Sequence, residues 1–189
     1  MSPQVITPAR FSDSRGWFSE TWNAKRLEEM RIVAHFCQDN HSLSKRAGTI
    51  RGLHFQRNPC AQAKLVRCLR GRIFDVAVDV RAASPTYKDW VGVELSAEMG
   101  NQLFVPKGYA HGFLTLEDNC EISYKVDDYY APEADGGIAW NDPELAIEWP
   151  LNDLIPLLSD KDAGLPDLAD IELDFAYDGN PMIPLFRDK

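Results

Sequence analysis

Four histidines occur in the 189 residues, and two of them stand in motifs that could do chemistry. His54 lies in TIRGLHFQ (49–56), where Thr49, Ile50, Leu53 and Phe55 suit a buried strand. Arg51 and His54 do not, because a buried charge or imidazole costs several kcal/mol unless it is paired. A lone strand histidine is either a hydrogen-bonded core residue or a general base, the side chain whose charge changes near neutrality. His111 lies in PKGYAHGF (106–113), a shaped turn of proline and two glycines that delivers a histidine. His35, after a helical segment, and His41, in QDNHS, read as a surface residue and a structural hydrogen-bonding residue. Metal-binding barrels carry an H-x-H pair, but here the corresponding stretch is His54-Phe55-Gln56, and the four cysteines form no C-x-x-C pair. A first-row metal would lack convergent ligands, so none is expected. Lys64 in QAKLV shares a strand face with Gln62 and Val66, and Tyr124 shares one with Ile122 and Val126. Taken singly, the lysine reads as solvated and the tyrosine as core.

The elements that must position these residues are strands. In KLVRCLRGRIFDVAVDVR (64–81), Phe74, Val76, Val78 and Val80 take one face, and Ile73, Asp75, Ala77 and Asp79 the other. Gly71 reads as the turn of a hairpin between the two arms. Further strands are expected in WVGVELS, NQLFVPKG, HGFLTLE and CEISYKVDDYY, with turns at ASPTYKD, AEMGN, PKG and LEDN. Short strands so closely spaced point to a sandwich or barrel. One helix is expected over 23–31, capped by Asn23 with Leu27, Met30 and Ile32 as its apolar stripe, and a helix or turn near 153–158, limited by Pro156. Strict alternation places Arg51 and His54 on opposite strand faces, unless Gly52 between them supplies a bulge.

Bulk properties bound the function. Length suits one domain over residues 1–189, with 166–189 as a C-terminal extension packed on the barrel. Net charge is −9 with no basic run, which disfavours a nucleic-acid partner but leaves room for local binding of a small anion. No run approaches a membrane span and the N-terminus lacks a signal pattern, so a cytoplasmic protein without a membrane partner is expected, its cysteines reduced.

Together the motifs resemble the dTDP-4-dehydrorhamnose 3,5-epimerase family. The matching stretches are FSDSRGWFSE (11–20), QDNHS (38–42), RGLHFQ (51–56), QAKLVRCLRGRIFDVAVDVR (62–81), SPTYKDW (84–90), VPKGYAHGF (105–113), YKVDDYY (124–130), WNDP (140–143), IEWP (147–150) and LSDKD (158–162). The resemblance implies an all-β, cupin-type double-stranded β-helix (a jelly-roll barrel) with a few short helices, and a homodimer. It implies His54 as catalytic base oriented by Asp162, Tyr124 as the opposing acid, and Lys64 near the substrate's C4 oxygen with His111 close by. Arg15, Glu20, Gln38, Asn40, Arg51, Tyr130 and Lys161 match positions that line the nucleotide-sugar site, and Phe11 one that packs on the base of the nucleotide. Asp135 stands where relatives carry glutamate, and Phe55 where RGLHYQ is usual.

The implied reaction suits these residue types. A 4-keto group acidifies the hydrogens on C3 and C5, so a histidine backed by a carboxylate can remove one and leave an enolate. Lys64 would stabilise the enolate oxygen, and Tyr124 would return a proton on the opposite face. Arg51, Arg15 and Lys161 would hold the diphosphate of a dTDP-4-keto-deoxysugar substrate by charge-assisted hydrogen bonds. No cofactor is expected, and no G-x-G-x-x-G fingerprint occurs. The alternatives are a relative inverting one carbon only, or a non-catalytic binding module of the same fold.

Overall fold

Alternating β-branched and aromatic residues, broken by glycine, proline and aspartate, determine the elements seen in the computed structural model, which describes residues 1–185. In chain order these are β1 (Gln4–Ile6), β2 (Phe11–Asp13), β3 (Gly16–Phe18), α1 (Ala24–Glu29), β4 (Gln38–Ser44), β5 (Ile50–Gln56) and β6 (Lys64–Arg70). They continue with β7 (Arg72–Asp79), β8 (Trp90–Ser96), β9 (Gln102–Val105), β10 (Tyr109–Thr115), β11 (Cys120–Val126), β12 (Asp135–Gly137) and α2 (Asp160–Ala163). One antiparallel sheet has the order β1-β9-β6-β11-β4, the other β12-β5-β10-β7-β8, and β2 and β3 form a separate hairpin. The cupin-like β-sandwich expected from the sequence is therefore present.

The expected hairpin at Gly71 is not. β6 pairs with β9 and β11, β7 with β10 and β8, so the chain changes sheets at this turn. The reason lies in β7, which is buried on both faces from Ile73 to Asp79 and needs cover on both. Ile73 and Ala77 pack between the sheets, whereas Phe74, Val76, Val78 and Val80 pack outward. Beneath the outward set lie Ile138, Leu145, Leu168 and Phe175, with Trp140 and Trp149 half-buried beside them. A two-stranded hairpin would leave one of these faces wet.

Asn23 caps α1 as expected, its Oδ1 accepting from the Lys25 and Arg26 amides at 3.0 and 3.4 Å. Leu27 and Ile32 are buried against Leu65 and Phe104, but Met30 lies past the last turn and is 40% exposed, so it does not belong to the stripe. The helix or turn expected near 153–158 is a turn, in which the Leu154 amide donates to the Leu151 carbonyl at 2.7 Å. Pro156 removes a donor, and Leu157 instead bridges Thr49. The nearby helix is α2, started by Ser159, whose Oγ accepts from the Asp162 amide at 3.1 Å. The extension packs back through Phe175 and Met182, both buried, and its last four positions, 186–189, lie outside the described residues. All four cysteines carry free thiols. No helix among the described residues is long and apolar enough to cross a membrane.

Candidate functional site

β5 opens the site. His54 pairs with His111 of β10, and Arg51 with Phe113, so three residues of β5 span what two of β10 span. This bulge contains Gly52 at φ +117°, a conformation that favours glycine. Its effect is to turn Arg51 and His54 to the same inner face while Ile50, Leu53 and Phe55 face the outer core. A Cβ at Gly52 would lie 2.6 Å from Gly112 Cα and from the His111 carbonyl oxygen. Gly52→Ala is therefore expected to cost more than about 2 kcal/mol of stability. Denaturant unfolding checks this, and a midpoint equal to wild type would refute the close approach.

Two adjoining cavities, about 360 and 180 Å³, share His54, Lys64 and Tyr124. The larger is also lined by Gln38, Asn40, Tyr130, Asp135 and Lys161, the smaller by Arg51, His111 and Asp162. Roomier cavities of about 490 and 830 Å³ run along the chain termini, but neither contains any of these groups. Chemistry rather than size marks the site. His54 belongs to one sheet, and Lys64 and Tyr124 to the other.

The His54 Nε2 donates to Asp162 Oδ1 at 2.6 Å, which leaves the second ring nitrogen as the basic one. Asp162 is 5% exposed, and Ser159 Oγ donates to its other oxygen at 2.9 Å. Burial pushes the Asp162 carboxyl up, but the His54 hydrogen bond and charge, Ser159 and the Gly52 amide outweigh it and hold it below its ordinary value. Lys64 is buried. Loss of hydration brings its ammonium down to about 8, while Asp75 and Asp135 pull upward and Lys161 pushes further down. Tyr124 is raised above its ordinary value by burial, against Arg51 and Lys161, so its phenol stays protonated. Across the cavity His111 Nε2 donates to the fully buried Asp75 at 2.8 Å. Asp135 takes an ion pair from Lys161 and a hydrogen bond from the Tyr130 hydroxyl at 3.4 Å. Arg51, Lys64 and Lys161 line these cavities together with the carboxylates of Asp135 and Asp162, so cations outnumber acids there in a chain of net charge −9.

Three of the sequence-derived residues lie elsewhere in this chain. Phe11 is on the β2–β3 hairpin, 61% exposed; Arg15 pairs with Asp13 in its turn at 2.6 Å; Glu20 pairs with Arg26 at 3.2 Å. Conversely, the site draws on Ser159, Asp75, Gln56 and Gln62, to which the sequence motifs assign no chemical role. Ser159 stands three residues before Asp162, an S-x-x-D capping signal, and Asp75 is an acid inside an apolar strand, so both left a trace in the sequence.

A cupin-like sandwich with a histidine–carboxylate pair, a buried lysine and a tyrosine converging from two sheets has the makings of a sugar-nucleotide isomerase. The comparisons are specific. The family model for dTDP-4-dehydrorhamnose 3,5-epimerase matches residues 3–170. The enzyme of that name from Sinorhizobium fredii is 50% identical over 174 residues, 92% of this chain and 89% of its own. The crystal structure of the Bacillus anthracis enzyme, with TDP and pyrophosphate bound, superposes at TM-score 0.85 with 52% identity, covering 88% of this chain and 94% of its own. The Legionella pneumophila dTDP-6-deoxy-D-glucose-3,5-epimerase in complex with dTDP-4-keto-L-rhamnose matches at TM-score 0.85 with 46% identity, covering 90% and 89%. The chain belongs to the dTDP-4-dehydrorhamnose 3,5-epimerase family and is an isomerase.

Proposed function

We propose that this chain epimerises dTDP-4-dehydro-6-deoxy-D-glucose at C3 and C5 to dTDP-4-dehydro-6-deoxy-L-mannose, without a cofactor, in the dTDP-L-rhamnose pathway. The observation that carries the reading is the pairing of His54 with Asp162 on one wall of a cavity whose facing wall holds Tyr124. His54 takes the proton from the carbon beside the ketone, and the C–H electrons pass through the new C–C double bond onto the C4 oxygen. The Lys64 ammonium stabilises that oxygen, with His111 beside it. Tyr124 delivers its proton to the opposite face, which inverts the carbon and re-forms the ketone. Proton exchange with solvent resets the tyrosine and the histidine. Each cycle moves protons only, so no redox partner takes part. Arg51 and Lys161 hold the diphosphate, and Gln38, Asn40, Tyr130 and Asp135 line the rest of the substrate's path.

Turnover in D2O, read by NMR, tests the function. Deuterium at both C3 and C5 of the product supports it. Label at one carbon would indicate a single-site epimerase, and no exchange at either would overturn the assignment.

The charge of Lys64 sets a pH limit. Because a neutral amine cannot stabilise the enolate, turnover is expected to fall as pH rises through about 8, where Lys64 loses its proton. Tyr124 keeps its proton there. In Lys64→Arg, whose side chain stays charged, the surviving rate should show no such fall. A wild-type rate that stays flat to well above pH 8 would count against Lys64.

The same reading makes the protein a homodimer. Phe11, Arg15 and Glu20 lie on or beside a hairpin that also exposes Trp17 and Phe18 at 58% and 68%. Seated on a second copy, the hairpin would bury this apolar surface and carry Phe11 and Arg15 toward the partner's cavity. Sedimentation equilibrium should return twice the 21.3 kDa chain mass; a monomer would overturn the arrangement. The four free thiols suit a reducing compartment, and we place the enzyme in the cytoplasm.

A further inference from the structure

The family match ends at residue 170, and residues 171–185 form no helix or strand, yet they are pinned along their length. Asp174 engages one residue twice: its Oδ2 accepts from the Asn58 amide at 3.2 Å, and its carbonyl accepts from Asn58 Nδ2 at 3.1 Å. Phe175, 8% exposed, meets Phe55 edge-on, with ring centroids 5.7 Å apart and planes at 83°. Further on, Arg81 Nη1 donates to Asp178 Oδ1 at 2.8 Å and to the Asn180 carbonyl at 3.1 Å. The Met182 amide donates to Thr86 Oγ1 at 2.9 Å. Arg81 is itself buried on Asp79, so the outer part of the strap is tied to the end of β7.

Both inner contacts fall on the segment that shapes the larger cavity. Phe55 follows His54 directly, and Asn58 lies in the loop, residues 57–63, that returns the chain to Lys64. On the other side, Gln56 at the end of β5 and Gln62 in the loop brace the segment carrying Tyr130. Gln56 Nε2 donates to the Cys60 carbonyl at 2.6 Å and to the Tyr129 carbonyl at 3.2 Å, and its Oε1 accepts from the Ala131 amide at 2.8 Å. Gln62 Nε2 donates to the Asp128 carbonyl at 2.8 Å. The cavity wall is thus a layered clamp: strap, then the end of β5 with loop 57–63, then residues 127–131.

We propose that the C-terminal strap is a positioning element of the site, with Phe175 on the end of β5 and Asp174 on loop 57–63 as positioning residues that hold this segment, and through it Gln62, Lys64 and Tyr130, against the substrate. The proposal rests on the proposed epimerase function for its kinetic consequence, but not for its structural one. Because the strap touches neither His54 nor Tyr124, it acts on binding geometry more than on proton transfer. Misplacing lining groups by a fraction of an ångström weakens substrate contacts well before the fold is lost.

The test compares Phe175→Ala, Phe175→Leu and Asp174→Ala with wild type by hydrogen–deuterium exchange and steady-state kinetics. In Phe175→Ala, amides of residues 57–64 should exchange about tenfold faster while those of β7 keep wild-type rates. KM should rise about tenfold with kcat changed by less than about threefold, and Phe175→Leu should restore most of the loss. Should Phe175→Ala fail to fold, Asp174→Ala, at an exposed position, is expected to show the same pattern at smaller amplitude. Unchanged exchange over 57–64 in a folded variant overturns the proposal whatever the rates do. So does a loss confined to kcat. An inactive wild-type protein would instead refute the epimerase reading, and exchange would still decide the role of the strap.

Discussion

His54→Ala is expected to fold and to lose roughly three orders of magnitude in turnover, since positioned general bases contribute about 10²–10⁴-fold. Folding should survive because His54 is only part-buried and the carboxylate it leaves behind keeps Ser159 and the Gly52 amide as partners. Some stability is still lost. The Asp162 carboxyl no longer has the hydrogen bond and charge of His54 to offset its burial, so its pKa moves up. Its folded pKa in wild type lies below the ordinary value, so its stabilising contribution is present above that ordinary value and is lost as pH falls through the folded one. The acid-side stability difference between wild type and variant should shrink accordingly. Two measurements check the prediction: a thermal melt for the fold, and deuterium uptake at C3 and C5 for the base. Uptake at the wild-type rate in the alanine variant would assign the base elsewhere.

Tyr124→Phe should separate exchange from inversion. The substitution keeps the ring that packs beside Ile122 and Val126 and removes only the acidic hydroxyl. His54 can still form the enolate, and with no acid on the facing wall the proton returns from the side it left. Epimerisation is expected to drop by about 10²-fold or more, while deuterium continues to enter with retained configuration. The ratio of exchange to inversion, near unity for a working pair, should rise by a similar factor. A phenylalanine variant that inverts at the wild-type rate would end the assignment of Tyr124. One that neither inverts nor exchanges would show that the phenol is needed to form the enolate, not only to quench it.

Much of the site was legible from residue types. His54 and Arg51 were conspicuous because strands avoid them, and the S-D-K-D stretch held both Asp162 and the serine that caps its helix. Less legible was the face each residue takes. Strict alternation separates Arg51 from His54, and only the extra residue at Gly52, visible in the register against β10, puts both on the inner wall. The pairing at Gly71 misled for a related reason. A glycine turn between two apolar arms is equally compatible with a hairpin and with a step between sheets, and local sequence carries no term that distinguishes them. Phe11, Arg15 and Glu20 show the opposite limit, since their motif is recognisable while their place is outside this chain's own cavity.

Local sequence was enough for the longer central strands, the Asn23 helix start and the chemical groups available, because these depend on neighbours a few residues away. The tertiary structure decided which groups meet. Sheet membership follows from burying both faces of β7, an interaction among strands far apart in the chain. So does the behaviour of Lys64, whose ammonium comes down to about 8 because folding removes its water. A histidine, a lysine and a tyrosine became one site only when long-range burial set the register that places them in the same cavity.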